Sequence, residues 1–175
     1  MSANPRDYAR VRGKWKATSD RFPRGEPLSF TIQIRDPNAG WLHARIVLGK
    51  QEFDLMFSEV ANDPLRELAE LGLFLVSNER FACGATFWLE PEGYELRASR
   101  DEELLLAMHY SDSAFANLFP PAKTLVSLAI DGPCVASEIV RALRVVEEQL
   151  AASERPGWCH PFPIRLIEQL ERKLL

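Results

Sequence analysis

The sequence predicts a single α+β domain: an antiparallel sheet of about seven strands, with one helix inserted between the third and fourth strands and two more at the C-terminus. Three observations lead there. Residues 28–59 and 81–130 are filled by short segments in which apolar and polar residues alternate, the pattern of half-buried strands. A helical repeat interrupts them once, over 62–77, and beyond residue 131 the spacing of apolar residues becomes helical and stays so. The domain is expected to span 26–175, preceded by a basic arm over 1–25.

In 29-SFTIQIR-35, Phe30, Ile32 and Ile34 share one face and Thr31, Gln33 and Arg35 the other. The segment 36-DPNAG-40 is a turn by composition, and 49-GKQ-51 joins the alternating strands 41-WLHARIVL-48 and 52-EFDLMFSE-59 as a short hairpin. In 62-NDPLRELAELGLFLVS-77, Asn62 or Asp63 can cap, Pro64 suits the first helical position, and Leu65, Leu68, Ala69, Gly72 and Val76 form the apolar stripe. A glycine there lowers helix propensity by about 1 kcal/mol relative to alanine. Gly72 is therefore expected to mark close packing against the sheet.

The next strands are 81-FACGATFWL-89, with Phe81, Cys83, Ala85, Phe87 and Leu89 on one face, and 94-YELRAS-99, with Tyr94, Leu96 and Ala98 on one face. Between them, 90-EPEG-93 has proline second and glycine last, the preference of a type I turn. Glu90 and Glu92 are thereby expected at a solvated tip, where no burial raises a carboxylate's pKa, and not as a working acid/base pair. The turn 99-SRDEE-103 leads to 104-LLLAMHY-110, whose nearly continuous apolarity predicts a strand covered on both faces. After a long loop over 111–122, 123-KTLVSLAI-130 closes the sheet. Val135, Ile139, Ala142, Leu143, Val146 and Leu150 stripe one terminal helix; after a linker over 153–163, Ile164, Leu166, Ile167, Leu170 and Leu174 stripe the other, with Glu168 and Arg172 at i, i+4 spacing. Both are expected on the open face of the sheet.

Composition narrows the function. The chain of 175 residues, 46% hydrophobic and 26% charged, suits one domain with a real core. No apolar run approaches the ~20 residues of a membrane span, and the N-terminus carries no apolar stretch of signal-peptide type, so a cytoplasmic protein without a membrane partner is expected. Cys83, Cys134 and Cys159 are few, odd in number and far apart, which fits reduced thiols better than disulfides. The net charge of −4 hides a split: residues 1–25 hold seven Lys/Arg against Asp7 and Asp20. The acidic remainder repels phosphate, and the arm lacks interleaved aromatics, so nucleic-acid binding is not expected. Tyr8, Val11 and Trp15 can pin part of the arm to the body.

No metal or cofactor motif is present. Cys159-His160 is the one adjacent Cys/His pair, and no Cys-x-x-Cys or His-x-x-x-His spacing occurs. Nucleotide-binding glycine loops and the Gly-x-Ser-x-Gly elbow are absent as well. The expectation is a chain without catalytic residues, metal or cofactor. Two sets of residues remain as candidates. Outward positions of the 87–103 region, Trp88, Glu95, Arg97, Asp101, Glu102 and Glu103, would make an acidic patch with an aromatic anchor, suited to a basic protein partner. Alternatively His109, Asp112 and Cys159 would line a pocket between the sheet and the C-terminal helices, for a substrate or small ligand. Phe115 and Phe119 place a third feature in the long loop. The terminal helices offer a surface for homo-oligomerisation, which leaves a structural subunit as a further alternative.

The order of elements, with the firmest points in 87-FWLEPEGYELRAS-99 and 160-HPFP-163, resembles a broad group of uncharacterised bacterial proteins over roughly residues 40 to 175. In size and make-up the chain is also similar to immunity proteins of bacterial toxin systems. That likeness of class implies a small, acidic, cytoplasmic binder without catalytic residues; the residues themselves suggest that it would neutralise a basic toxin through steering by acidic residues and burial of an aromatic anchor.

Overall fold

The computed structural model describes residues 30–38, 40–89, 92–111, 123–152 and 158–175. The basic arm, Glu90, Asp112, the aromatics of the 111–122 loop and residues 153–157 of the expected 153–163 linker therefore lie outside the described residues. The chain forms a seven-stranded antiparallel sheet in sequential order: β1 (Phe30–Asn38), β2 (Trp41–Leu48), β3 (Gln51–Ser58), β4 (Ala82–Trp88), β5 (Gly93–Arg100), β6 (Leu104–Ser111) and β7 (Lys123–Ala129). Helix α1 (Pro64–Leu75) follows β3; α2 (Gly132–Ala152) and α3 (Ile164–Leu174) follow β7. This is the α+β arrangement expected from the alternation pattern.

The strands form where the pattern is strict. Ile32, Ile34, Leu42, Ala44, Ile46, Phe53, Leu55 and Phe57 are all buried on one face, while Arg45 and Glu52 pair on the other at 2.9 Å. Gly49 takes a φ of 63° in the β2–β3 turn, a left-handed conformation glycine adopts without strain. In α1, the Asp63 side chain caps by accepting from Arg66 N at 3.1 Å, and Pro64 occupies the first turn.

Between β3 and β4 the ladder consists of one pair, Ser58 with Trp88. Two residues earlier in β4, Thr86 finds its partners in α1 and the segment leading into it: its N–H donates to Glu67 Oε2 at 2.7 Å and its carbonyl accepts from Asn62 Nδ2 at 2.9 Å. The start of α1 thus takes over the edge of β4 that β3 leaves, and the backbone groups there stay satisfied. Burial raises the Glu67 carboxyl above its ordinary value of 4.5, although hydrogen bonds from Thr86 and Asn62 pull the other way. A carboxyl that binds its proton more tightly when folded loses stability as pH rises from about its unfolded pKa through the raised one. Glu67→Gln, which keeps an acceptor for Thr86 N, is expected to remove that decline. Its stability advantage over the parent should grow from pH 4.5 upward in urea titrations; parallel pH profiles would contradict it.

Three expectations about packing change. Gly72 does mark a close approach, but against helices: a Cβ there would lie 2.4 Å from Leu170 Cδ2 and 3.7 Å from Ile139 Cγ2. Correspondingly, α2 lies against β1 and α1, whereas α3 packs on α1 and α2 in place of the sheet. Among the described residues α3 is tied to α2 by Arg144, whose guanidinium reaches both Glu171 oxygens at 2.9 and 2.7 Å. That bidentate geometry holds the Glu171 carboxyl below its ordinary value. Finally, β6 is covered on both faces only in its middle, where Leu106, Ala107 and Met108 are buried in succession. Its ends are half-buried.

Candidate functional site

The acidic patch expected around Trp88 does not form as one surface. Trp88 is 2% exposed, and its ring lies over Gly93, where a Cβ would come within 2.7 Å of Cε3. It does occupy the face of β4 opposite Phe87, as alternation requires, but that face is covered at this end. Glu95 and Arg97 sit on the same side of β5 and pair with each other at 3.3 Å. Asp101, Glu102 and Glu103 are exposed in the β5–β6 turn. Trp88 pairs with Gly93 and Ala82 with Ser99, so Trp88 and the acidic turn occupy opposite ends of the hairpin, about 26 Å apart at ~3.3 Å per residue.

The aromatic beside the acidic turn is Phe81, which alternation assigned to the core. The strand begins one residue later, at Ala82, and Phe81 is 84% exposed, the largest such aromatic among the described residues. It is held in place through its backbone, since Arg100 N donates to Phe81 O at 3.1 Å. Asp101 is the next residue after Arg100. The Arg100 side chain turns inward and donates to the carbonyls of Leu75 and Ser77 at the C-terminus of α1, which satisfies carbonyls the helix leaves open. An open pocket of about 510 Å³ adjoins this end, lined by Ser77, Asn78, Arg100, Pro133 and Lys173 among others.

The second set of candidates is also dispersed. His109 stands on β6 opposite Glu95, with Nδ1 3.1 Å from Thr124 Oγ1 on β7. Burial holds its imidazole below the ordinary value of 6.5, with Arg97 adding to that and Glu95 opposing it. Cys159 instead lies against Glu59, the residue after β3, three strands away from β6 in the sheet order. Asp112 is outside the described residues. A groove of about 240 Å³ does exist between β1 and α2, but it is lined by Ile32, Ile34, Arg35, Arg141, Val145 and Gln149 and not by His109 or Cys159.

Glu92 differs from expectation too. Leu89 N donates to Glu92 O at 2.8 Å, which joins the two sides of the hairpin next to residues 90 and 91, themselves outside the described residues. The Glu92 carboxylate, however, accepts from Tyr110 Oη and is half-buried, not free at the tip.

At the junction of β3 and α1, Glu59 is 6% exposed. Its Oε2 accepts from Cys159 N at 2.6 Å, and His160 Nε2 lies 3.0 Å from its carbonyl oxygen. One candidate ligand atom each from Glu59, Cys159 and His160 falls within 4.8 Å of the others. Partial desolvation by its neighbours, then the Glu59 carboxylate, raises the thiol of the exposed Cys159 above its ordinary value, and burial does the same for Cys83. Thiols held protonated in this way are weak nucleophiles. The adjacent Cys159-His160 pair hinted at this cluster, but nothing local pointed to Glu59.

No family model matches the chain, and no curated protein or solved structure matches it either. No helix among the described residues is long and apolar enough to cross a membrane.

Proposed function

We propose that the chain is a non-enzymatic protein-binding module, of the kind represented by toxin-immunity proteins, which docks a basic protein surface against the Phe81 end of the sheet. The observation that carries this is the exposed Phe81 ring fixed by its backbone beside three consecutive carboxylates, Asp101, Glu102 and Glu103. An exposed phenylalanine whose backbone is hydrogen-bonded to the neighbouring strand is a ready anchor, because burying it in a partner's pocket gains on the order of 2–3 kcal/mol. The carboxylates around it raise the encounter rate with a positively charged partner and disfavour acidic ones. Glu79 and Arg80, both exposed in the segment leading to Phe81, offset each other, so the field comes from the three turn carboxylates. By covering its partner's basic surface, the module would occlude whatever site lies there.

A photo-crosslinking residue at position 81 tests this reading in the protein's own cells, with position 52 on exposed β3 as the control. The expected result is a specific adduct to a basic protein from position 81, absent from position 52 and lost when Asp101, Glu102 and Glu103 are changed to Lys. Adducts that are equal at both positions, or that survive the charge reversal, would count against the proposal.

A further inference from the structure

The fold brings Glu59 to a Cys-His pair about a hundred residues downstream, and we propose that Glu59, Cys159 and His160 form a binding site for Zn²⁺ with one coordination position open. Their candidate ligand atoms already lie within 4.8 Å of one another. A tetrahedral zinc ion, with bonds of about 2.0–2.3 Å, sets its ligand atoms ~3.3–3.8 Å apart. Closing the site therefore takes side-chain movements of about 1 Å, with no change of fold. Thiolate, imidazole and carboxylate together suit zinc and its thiophilic neighbours, and do not suit magnesium or calcium, which take oxygen ligands.

The protein's own contacts prepare the site. Cys159 N donates to Glu59 Oε2, which holds the carboxylate against the Cys-His pair, and His160 Nε2 lies against the Glu59 carbonyl. The Trp158 ring packs at 6.4 Å from that of His160. Among the described residues the nearly buried Glu59 carboxylate has no cationic partner in an ion pair. A buried carboxylate without a counter-charge is unfavourable, and a dication supplies one. On binding, the Cys159 thiol releases its proton to solvent as the thiolate–zinc bond forms. Three protein ligands leave the fourth position to water or to a group brought by a partner. The ion would join the β3–α1 junction to the segment preceding α3.

The full chain allows a test with an internal control, because Cys134 is exposed like Cys159 but sits in the first turn of α2 and is not part of the cluster. Alkylation of each cysteine is followed by mass spectrometry with and without one equivalent of Zn²⁺. Zinc should slow modification of Cys159 and leave Cys134 unchanged. Co²⁺ should give a thiolate charge-transfer band that Cys159→Ser, a change at an exposed position, abolishes. Glu59→Gln should weaken zinc binding by at least about 10–100-fold, since loss of a mere supporting group costs that much. The proposal is overturned if Cys159 reacts equally fast with and without zinc, if Cys134 is protected to the same degree, or if Glu59→Gln binds zinc as the parent does.

Discussion

Trp88→Ala should lower stability by about 3–5 kcal/mol, the range for removing a buried large aromatic side chain. For a domain of this length that corresponds to a fall in Tm of roughly 10 °C. The indole is 2% exposed and covers Gly93 in the neighbouring strand. Its backbone also makes the single ladder pair between β3 and β4. A cavity at this position therefore weakens the seam at which α1 wedges the sheet open, and neighbouring side chains are poorly placed to refill it. One factor works against the loss: Trp88 Nε1 is buried without a hydrogen-bond partner among the described residues. Deleting it relieves an unmet polar group. Trp88→Phe, which keeps a ring over Gly93 and removes that N–H, should accordingly cost less than about 1.5 kcal/mol. Urea unfolding distinguishes these outcomes. If Trp88→Ala unfolded at the parent's midpoint, the indole would not belong to the core.

Gly132→Ala should cost about 2–3 kcal/mol, the upper part of the range for overpacking, even though alanine is the better helix former by about 1 kcal/mol. A Cβ at 132 would lie 2.3 Å from Leu75 O and 3.2 Å from Leu75 C, both backbone atoms at the end of α1. The same carbonyl accepts from Arg100 Nη2 at 3.1 Å. Helices α1 and α2 would have to separate, and the Arg100 contact would stretch with them. Gly72→Ala provides the contrast, because its Cβ would meet the tip of Leu170, a flexible side chain that can turn aside. The gain in helix propensity then offsets most of the strain, and the change should be within about 1 kcal/mol of neutral. Equal losses at 72 and 132 would show that the backbone at Leu75 is freer to move than the packing implies.

The strands were legible because most bury one face and leave the other polar, so Ile32, Leu42, Phe53 and Leu96 announced their side by spacing alone. Pro64 and the Asp63 cap did the same for α1. Alternation cannot show what covers the second face, which is why Trp88 was assigned the correct side of β4 and the wrong environment. Nor does it show where a strand ends: Phe81 continues the apolar register but precedes the first paired residue, Ala82. Partners distant in the chain were hidden for another reason. Gly72 meets Leu170, and Glu59 meets Cys159 one hundred residues later. Such contacts depend on how α3 and its preceding segment return to α1, and no local spacing encodes that path.

The central claim is that the Phe81 end of the sheet holds a basic protein partner. Native mass spectrometry of the protein purified gently from its own cells, beside Phe81→Ala prepared the same way, tests it most directly. Phe81 is so exposed that its replacement leaves the core untouched, so both proteins should be folded. The account predicts a stoichiometric complex with a basic protein for the parent and a bare chain for the variant. A bare parent chain, or a complex that the variant retains in full, would contradict it.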